Sequence, residues 1–258
     1  MGIVCNTWEE HVAKERGRPR TSTPLWEGVQ RLLADAAADG GGSPVSVVDL
    51  GGGTGGLAVR VASLGHQVVV VDPSPDALAA LERRTIEAGL FDRVRSVQGD
   101  AGDLSALLPA GSADVVLCHG VLEVVDDPSA ALSAAHTILR PGGRLSLLVA
   151  QWPATVLARV LAGQLAQALH ALSDDSHRWS TTDPLRRRFD RVGASALAEA
   201  AGFSVTAVEG TRTFSDVIPS ASTESDSDMA LLHELEVVAA QSPELLALAG
   251  HLHLHARR

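Results

Sequence analysis

A glycine-rich segment at residues 51–56 (GGGTGG) constrains the fold of this chain more than any other feature. It follows a short Val-rich apolar run at 45–50 and precedes a helical pattern at 57–64. Glycine tolerates positive φ and lets bare backbone N–H groups approach a ligand closely. The following helix adds its N-terminal N–H groups at the same point. The order strand, glycine loop, helix therefore predicts the ligand-binding beginning of an α/β sheet.

Strand-like and helix-like segments continue to alternate after this loop. The expected strands lie at 67–72, 94–98, 114–118, 144–150, 203–213 and 251–256. The expected helices lie at 25–38, 75–88, 129–139, 154–172, 195–201 and 229–240. Strands separated by single helices predict a parallel sheet with right-handed crossovers. Hydrophobic residues make up 45% of the chain, which is enough to build a full core around such a sheet.

Two ligand-binding fingerprints overlap in the glycine loop. The spacing G-x-G-x-x-G over residues 51–56 fits a dinucleotide loop, with Asp72 at the end of the next strand placed to hold a ribose. The spacing D-x-G-x-G-x-G over residues 49–55 fits the loop with which class I methyltransferases bind S-adenosylmethionine (SAM). Asp49 favours the second interpretation, because a carboxylate there can fix the loop or meet the ammonium group of the cofactor.

Two further segments favour the methyltransferase interpretation. QGDA at 98–101 ends the third strand, where this family places groups that face adenine, and LRPGGR at 139–144 precedes the fifth strand. Together with the loop, these segments resemble the class I SAM-dependent methyltransferases. The resemblance implies a Rossmann-like α/β fold, in which a mostly parallel seven-stranded sheet carries helices on both faces and an antiparallel last strand.

The chain carries neither internal repeats nor a long linker, so we expect one methyltransferase domain over residues 1–258. Its expected parts are an N-terminal arm and helix (1–43), a SAM-binding core (44–150), and substrate-side helices with the final strands (151–258).

Within that class, the chain is similar to the tRNA carboxymethoxyuridine methyltransferases. This family transfers a methyl group from SAM to the carboxylate of a modified wobble uridine. Several of the matching segments lie outside the SAM-binding half, where unrelated methyltransferases differ from one another. The matching segments are LW at 25–26, GHQV at 65–68, HGVLE at 119–123, LRPGG at 139–143, LSL at 145–147, RxFxD at 212–216, LLHELE at 231–236 and HLHAR at 253–257.

The resemblance also implies a set of cofactor-binding residues. Gly51 and Gly52 would receive the methionine end of SAM, Asp72 the ribose hydroxyls, and His119 would lie near the reacting end. Three residues would flank the adenine, and the arginine nearest the family's carboxylate-binding position completes the set. The whole set is Arg20, Asp49, Gly51, Gly52, Gly53, Asp72, Asp100, Ala101, Gly102 and His119.

Two residues are candidates for the chemistry, His119 and Arg212. A carboxylate acceptor is already ionised at pH 7 and needs no general base. For a phenol or alcohol acceptor a base would help, and His119 is then the first candidate. Arg212 either clamps a substrate carboxylate through a bidentate contact or forms a surface ion pair. Glu123 is a candidate substrate anchor, although we interpret it as a carboxylate at the start of a helix.

The charge distribution restricts the partners. With a net charge of −10, the surface as a whole does not suit nucleic acid or an anionic membrane. Basic residues nevertheless cluster, and they could form a positive rim that contacts tRNA. They are Lys14, Arg16, Arg18 and Arg20 in the N-terminal arm, and Arg178, Arg186, Arg187, Arg188 and Arg191 in the 178–191 segment.

Other features argue against a metal, a membrane or an oxidising compartment. His251, His253 and His255 share one strand face, which we interpret as solvent-exposed, so no metal is expected. No apolar run approaches the length of a membrane span, and two cysteines form no disulfide framework, so we expect a cytoplasmic protein. The alternatives left open are a small-molecule O- or N-methyltransferase and a SAM-binding protein without turnover.

Overall fold

The computed structural model describes residues 23–218 and 225–258, and its centre is one seven-stranded sheet. The strands are β1 (Ser46–Leu50), β2 (Gln67–Asp72), β3 (Val94–Gln98), β4 (Ala113–His119), β5 (Leu139–Ala150), β6 (Ser204–Thr211) and β7 (His251–Arg257). They lie in the order β3-β2-β1-β4-β5-β7-β6. β7 runs antiparallel to β5 and β6, while the pairs from β3 to β5 are parallel. The predicted fold class is confirmed.

Helices cover both faces of this sheet. They are α1 (Pro24–Asp39), α2 (Gly56–Ser63), α3 (Pro75–Glu87), α4 (Leu104–Leu107), α5 (Pro128–Ile138), α6 (Trp152–Leu161), α7 (Leu165–Ser173), α8 (Arg191–Ala200) and α9 (Asp226–Ala240). Residues of α1, α2 and α3 pack on one face with Val47 and Val115, whereas α5 and α8 pack on the other with Val48 and Val116. Neighbouring strand residues thus enter opposite cores, which explains the nearly continuous apolar strand sequences.

Three helices begin with the same local signature. Thr23, Ser74 and Asp127 each accept a hydrogen bond from a backbone N–H group in the first turn, and each precedes a proline. A side-chain oxygen satisfies an N–H group that has no partner within the helix, and proline is already set to helical φ. Short polar-proline pairs therefore fix where α1, α3 and α5 start.

The structure corrects several predicted boundaries. The single helix expected at 154–172 is wrong: α6 and α7 are separate, and Gly163 between them has φ +72°. Glycine adopts that left-handed conformation readily and so ends the first helix. The turn expected at 139–144 is the irregular beginning of β5, and β6 ends at Thr211 rather than at residue 213.

No helix among the described residues combines the length and the hydropathy needed to cross a bilayer.

Candidate active site

The direction in which strands are added to the sheet changes between β1 and β4. The chain first adds β2 and β3 on one side of β1, and then returns to place β4 and β5 on the other side. In open α/β sheets, ligands bind in the crevice outside the carboxyl ends of the strands at such a point. Here that crevice lies between the loop after Leu50 and the loop after His119.

The glycine loop fits this position closely. Gly51 has φ +67°, and a Cβ atom on it would lie 2.6 Å from Val121 Cγ2 in the facing loop. A Cβ atom on Gly52 would lie 2.6 Å from Asp49 Oδ2. Both distances are too short for real Cβ atoms, so neither position accepts a larger residue without rearrangement. Glycine is therefore required at both positions by the packing of the loop against Val121 and Asp49.

Asp72 ties the loop to the end of β2. Its buried carboxylate accepts hydrogen bonds from the N–H groups of Gly53 and Ser74, each at 2.9 Å. A carboxylate has about four acceptor directions, so two bonds leave capacity for ligand hydroxyls. The sugar-binding role of Asp72 stays a prediction, whereas its bond to Gly53 is a structural contact that the sequence did not indicate.

Asp49 contributes a buried oxygen without a partner. Its side chain is only 3% exposed, and Oδ2 accepts no hydrogen bond from the described residues. Burial, together with the neighbouring Asp72 carboxylate, raises the pKa of Asp49 to about 7. A ligand with an ammonium group or a hydrogen-bond donor would stabilise this buried carboxylate by giving its free oxygen a partner.

Two more such atoms lie at the end of β4. Within the described ranges, His119 Nδ1 and Glu123 Oε2 are buried and make no hydrogen bond. Burial, with a smaller electrostatic contribution from the neighbouring His255, lowers the pKa of His119 to about 3, and burial raises the pKa of Glu123 to about 7. Asp49, His119 and Glu123 thus bring unsatisfied polar atoms to the ends of two adjacent strands.

The interpretation of Glu123 as a helix-start carboxylate is wrong. It lies in the turn between β4 and α5, and its Oε1 accepts a hydrogen bond of 2.6 Å from the N–H group of Ala150. This bond joins the turn after β4 to the end of β5.

A third part of the site follows β3. Asp100 caps a short 3₁₀ helix, Ala101–Asp103, by accepting a bond of 3.2 Å from the Gly102 N–H group. Ala101 is buried, while the position of a Cβ atom on Gly102 faces open space. Because β3, β2 and β1 are adjacent, Ala101, Asp72 and Gly51 form a row spanning roughly 10 Å at 4.8 Å per strand. The row could therefore bind a nucleoside with an attached amino-acid group: the base beside Ala101, the sugar at Asp72 and the amino-acid group at Gly51.

The structure does not bring all predicted residues together. Arg20 lies outside the described residues. Arg212 follows β6, three strands from β4 or roughly 14 Å, and forms an ion pair with Asp216. It was expected on the strand beside the site, but it occupies a turn with φ +59°. The structure shows the ion pair, and the clamp role stays a prediction.

Three arginines of the expected positive rim make contacts within the protein, although only Arg188 among them is buried. Arg188 is 9% exposed and forms an ion pair with Asp183 at 2.6 Å. Arg187 donates to the carbonyl oxygens of Leu122 and Val125, and Arg186 pairs with Asp126. Arg186 and Arg187 thus bind the loop after β4, whereas Arg188 binds Asp183, and a tRNA-binding rim that includes this segment stays a prediction. The N-terminal basic residues 14–20 lie outside the described residues.

The histidine face of β7 is also not the exposed surface that was expected. His253 is fully buried, and its ring stands with those of His255 and His119 beneath α1. Glu209, His253 and His255 offer three ligand atoms within 4.8 Å of one another, a spacing that a metal ion could use. However, Arg31 donates to both carboxylate oxygens of Glu209, at 2.6 and 2.9 Å, which favours an ion pair there. The absence of a metal stays a prediction.

Comparison with known proteins connects this geometry to a family. Residues 48–147 match a family model described as a methyltransferase domain. The tRNA 5-carboxymethoxyuridine methyltransferase of Escherichia coli (strain K12) is 29% identical over 234 residues, which cover 91% of this chain and 86% of that protein. The ubiquinone biosynthesis O-methyltransferase of Burkholderia pseudomallei (strain 1710b) is 32% identical over 160 residues, covering 61% and 67%.

The fold has solved counterparts as well. A SAM-dependent methyltransferase from Mesorhizobium loti superposes with a TM-score of 0.61 and 19% sequence identity, covering 92% of this chain and 99% of that chain. At this identity, the likeness shows the fold.

Replacing Asp72 with Ala should weaken binding of S-adenosylhomocysteine by at least about tenfold. The substitution removes ligand hydrogen bonds to a charged group and releases the Gly53 N–H group. Titration calorimetry measures the change, with the exposed Glu87→Gln on α3 as the matched control. Unchanged affinity in Asp72→Ala would remove this residue from the site.

Replacing Asp49 with Asn should stabilise the ligand-free protein increasingly as the pH rises from about 5 to 8. The Asp49 carboxyl has a pKa of about 7 when folded and near 3.8 when unfolded, so folding takes up a proton in this window. The free energy of unfolding of the parent therefore falls with pH, by up to about 1.4 kcal/mol per unit from this group. Asparagine lacks this dependence.

Urea unfolding at several pH values tests the Asp49 prediction, and Asp92→Asn, at an exposed position, serves as the control. A difference between Asp49→Asn and the parent that stays constant over the window would contradict it.

Proposed function

Because this chain belongs to the SAM-dependent methyltransferases, we propose that its methyl acceptor is a carboxylate, that of 5-carboxymethoxyuridine in tRNA. The extent of one similarity carries the proposal. The match to the tRNA enzyme covers 91% of the chain, and so reaches far beyond the methyltransferase domain at 48–147. The match to the ubiquinone enzyme covers 61%. Because the similarity to the tRNA enzyme extends into the substrate-side half of the chain, it favours a carboxylate acceptor in tRNA.

The residues of the crevice fit the cofactor. The bare backbone of Gly51 and Gly52 would hold its amino-acid end, and the unpartnered Asp49 oxygen would meet its ammonium group. Asp72 would bind the sugar hydroxyls, and Ala101 would pack beside the base. When bound, SAM supplies an electrophilic methyl group on a sulfonium.

The residues of the protein would position the acceptor beside the methyl group and exclude water from the reacting atoms. Val121, 6% exposed, packs against Gly51 and so joins the two loops through an apolar contact. Holding an acceptor oxygen in line with a methyl group removes much of the entropic part of the barrier. A carboxylate acceptor is ionised at neutral pH and needs no proton removed. This agrees with His119, whose lowered pKa makes it a weak base.

One observation favours a second candidate, O-methylation of a small phenol or alcohol. Glu123 has a pKa of about 7, suited to a general base, and one of its oxygens has no partner among the described residues. The similarity to the ubiquinone biosynthesis O-methyltransferase agrees with this candidate.

The acceptor can be identified by the fate of a labelled methyl group. The protein is incubated with methyl-labelled SAM and either tRNA that carries 5-carboxymethoxyuridine or a small-molecule extract. We expect label in the tRNA, released as methanol by mild alkali, because alkali cleaves methyl esters but leaves methyl ethers and N-methyl groups intact.

Two controls sharpen the result. Transcribed tRNA without modified nucleosides should take up no label, and Glu123→Gln should retain methylation of tRNA because a carboxylate needs no base. Alkali-stable label in the extract, lost in Glu123→Gln, would replace the proposal by the second candidate.

A further inference from the structure

A chain of hydrogen-bonding side chains runs from His119 across four strands to the surface. It consists of His119 on β4, Ser146 on β5, His253 and His255 on β7, Glu209 on β6 and Arg31 on α1. The first three are 8%, 0% and 0% exposed. Buried polar groups are paired in nearly all proteins, and these residues supply one another with partners. We call this set the histidine relay.

The contacts of the relay are continuous. Ser146 Oγ lies 2.8 Å from His119 Nε2 and 2.7 Å from His253 Nε2. The other nitrogen of that ring, His253 Nδ1, lies 3.3 Å from His255 Nε2. The same His255 nitrogen is 3.6 Å from Glu209 Oε2, whose carboxylate Arg31 holds through both oxygens.

The contact between Glu209 and His255 at the surface end of the relay determines which nitrogen of each histidine ring carries the proton. The Glu209 carboxylate lies at ion-pair distance from His255 Nε2, and its negative charge stabilises a proton on that nitrogen. That N–H group also faces His253 Nδ1, which must then be the bare nitrogen of a neutral ring. The burial of His253 keeps it neutral, because burial lowers its pKa well below the usual value.

The positions of the protons can be followed from His253 through Ser146 to His119. With Nδ1 bare, His253 carries its proton on Nε2 and donates to Ser146 Oγ. Ser146 has a single hydroxyl proton, which it then donates to His119 Nε2. The proton of neutral His119 is left on Nδ1, the atom for which the described residues offer no partner.

We propose that Ser146, His253, His255 and Glu209 are positioning residues that hold His119 as the Nδ1–H tautomer, so that it donates a hydrogen bond to a ligand carboxylate in the crevice. The proposal rests on the methyltransferase function for its ligand but not for the tautomer. Two carboxylates meet this description, that of the methionyl group of SAM and that of the acceptor.

Helix α1 protects the relay. A Cβ atom on Gly28 would lie 2.8 Å from His253 Cε1, 2.9 Å from His253 Nδ1 and 3.2 Å from His255 Nε2. Only glycine allows the helix to cover these rings so closely. Water is thereby kept from the contact between the two histidines, and the substitution Gly28→Ala would disturb it without removing a polar group.

Nitrogen NMR of the ligand-free protein tests the tautomer. In a chain labelled with [¹⁵N]histidine, the His119 signal is identified by its loss in His119→Asn. We expect a protonated Nδ1 and a bare Nε2 in the parent, and a shift of the proton toward Nε2 in Ser146→Ala and Gly28→Ala. Ser96→Ala, which removes a strand hydroxyl bonded to Glu82 outside the relay, should leave the His119 signal unchanged.

Each result decides the proposal. A His119 proton on Nε2 in the parent would overturn it, and that spectrum requires no variant to fold. The parent tautomer persisting in Ser146→Ala or Gly28→Ala would also overturn it. The NMR experiment uses the protein without cofactor or acceptor, so its result does not depend on the methyl-transfer assay. A negative methyl-transfer assay therefore leaves the tautomer assignment unchanged, and a negative NMR result leaves the proposed acceptor unchanged.

Binding measurements then identify the carboxylate. If the carboxylate belongs to the cofactor, Ser146→Ala lowers the affinity for S-adenosylhomocysteine by about tenfold. The affinity for methylthioadenosine, which lacks the amino-acid group, then stays unchanged. If it belongs to the acceptor, affinity for S-adenosylhomocysteine is unchanged and the KM for tRNA rises by a similar factor. No change in either quantity would overturn the donor role of His119.

Discussion

The hydrogen bond from the Gly53 N–H group to the Asp72 carboxylate is the contact on which the site depends. It joins the glycine loop after β1 to the end of β2, while the second Asp72 oxygen receives the Ser74 N–H group that begins α3. One buried acid thus fixes the loop, the strand end and the helix start together. The loop also packs closely against Val121 after β4, which fixes the positions of the two loops relative to each other.

The crevice is costly in the absence of a ligand. Asp49, His119 and Glu123 bring buried polar atoms to it that the described residues leave without partners. Unpaired buried polar groups destabilise a fold, so natural proteins keep few of them. Here Asp49 and His119 lie at the ends of β1 and β4 and Glu123 lies in the turn after β4, and their altered pKa values follow mainly from burial. The cost is understandable if a ligand with ammonium, carboxylate and hydroxyl groups satisfies them.

Much of this arrangement was predictable from sequence because it is local. The glycine loop, Asp72 at the end of a Val-rich strand and the QGDA segment each carry their chemistry within a few residues. Contacts between distant segments were not predictable. His253 is a core residue because β7 inserts between β5 and β6, and Arg187 binds the carbonyl oxygens of Leu122 and Val125 in a loop far from it along the chain. The alternation of His and Leu in β7 was the one sequence signal of the relay.

A crystal structure with S-adenosylhomocysteine would locate the cofactor relative to these residues. We expect its amino-acid group over Gly51 and Gly52, its sugar hydroxyls on Asp72, and its adenine beside Ala101. A nucleoside bound at another edge of the sheet would contradict this expectation, as would crystals that select NAD from an equimolar mixture of the two.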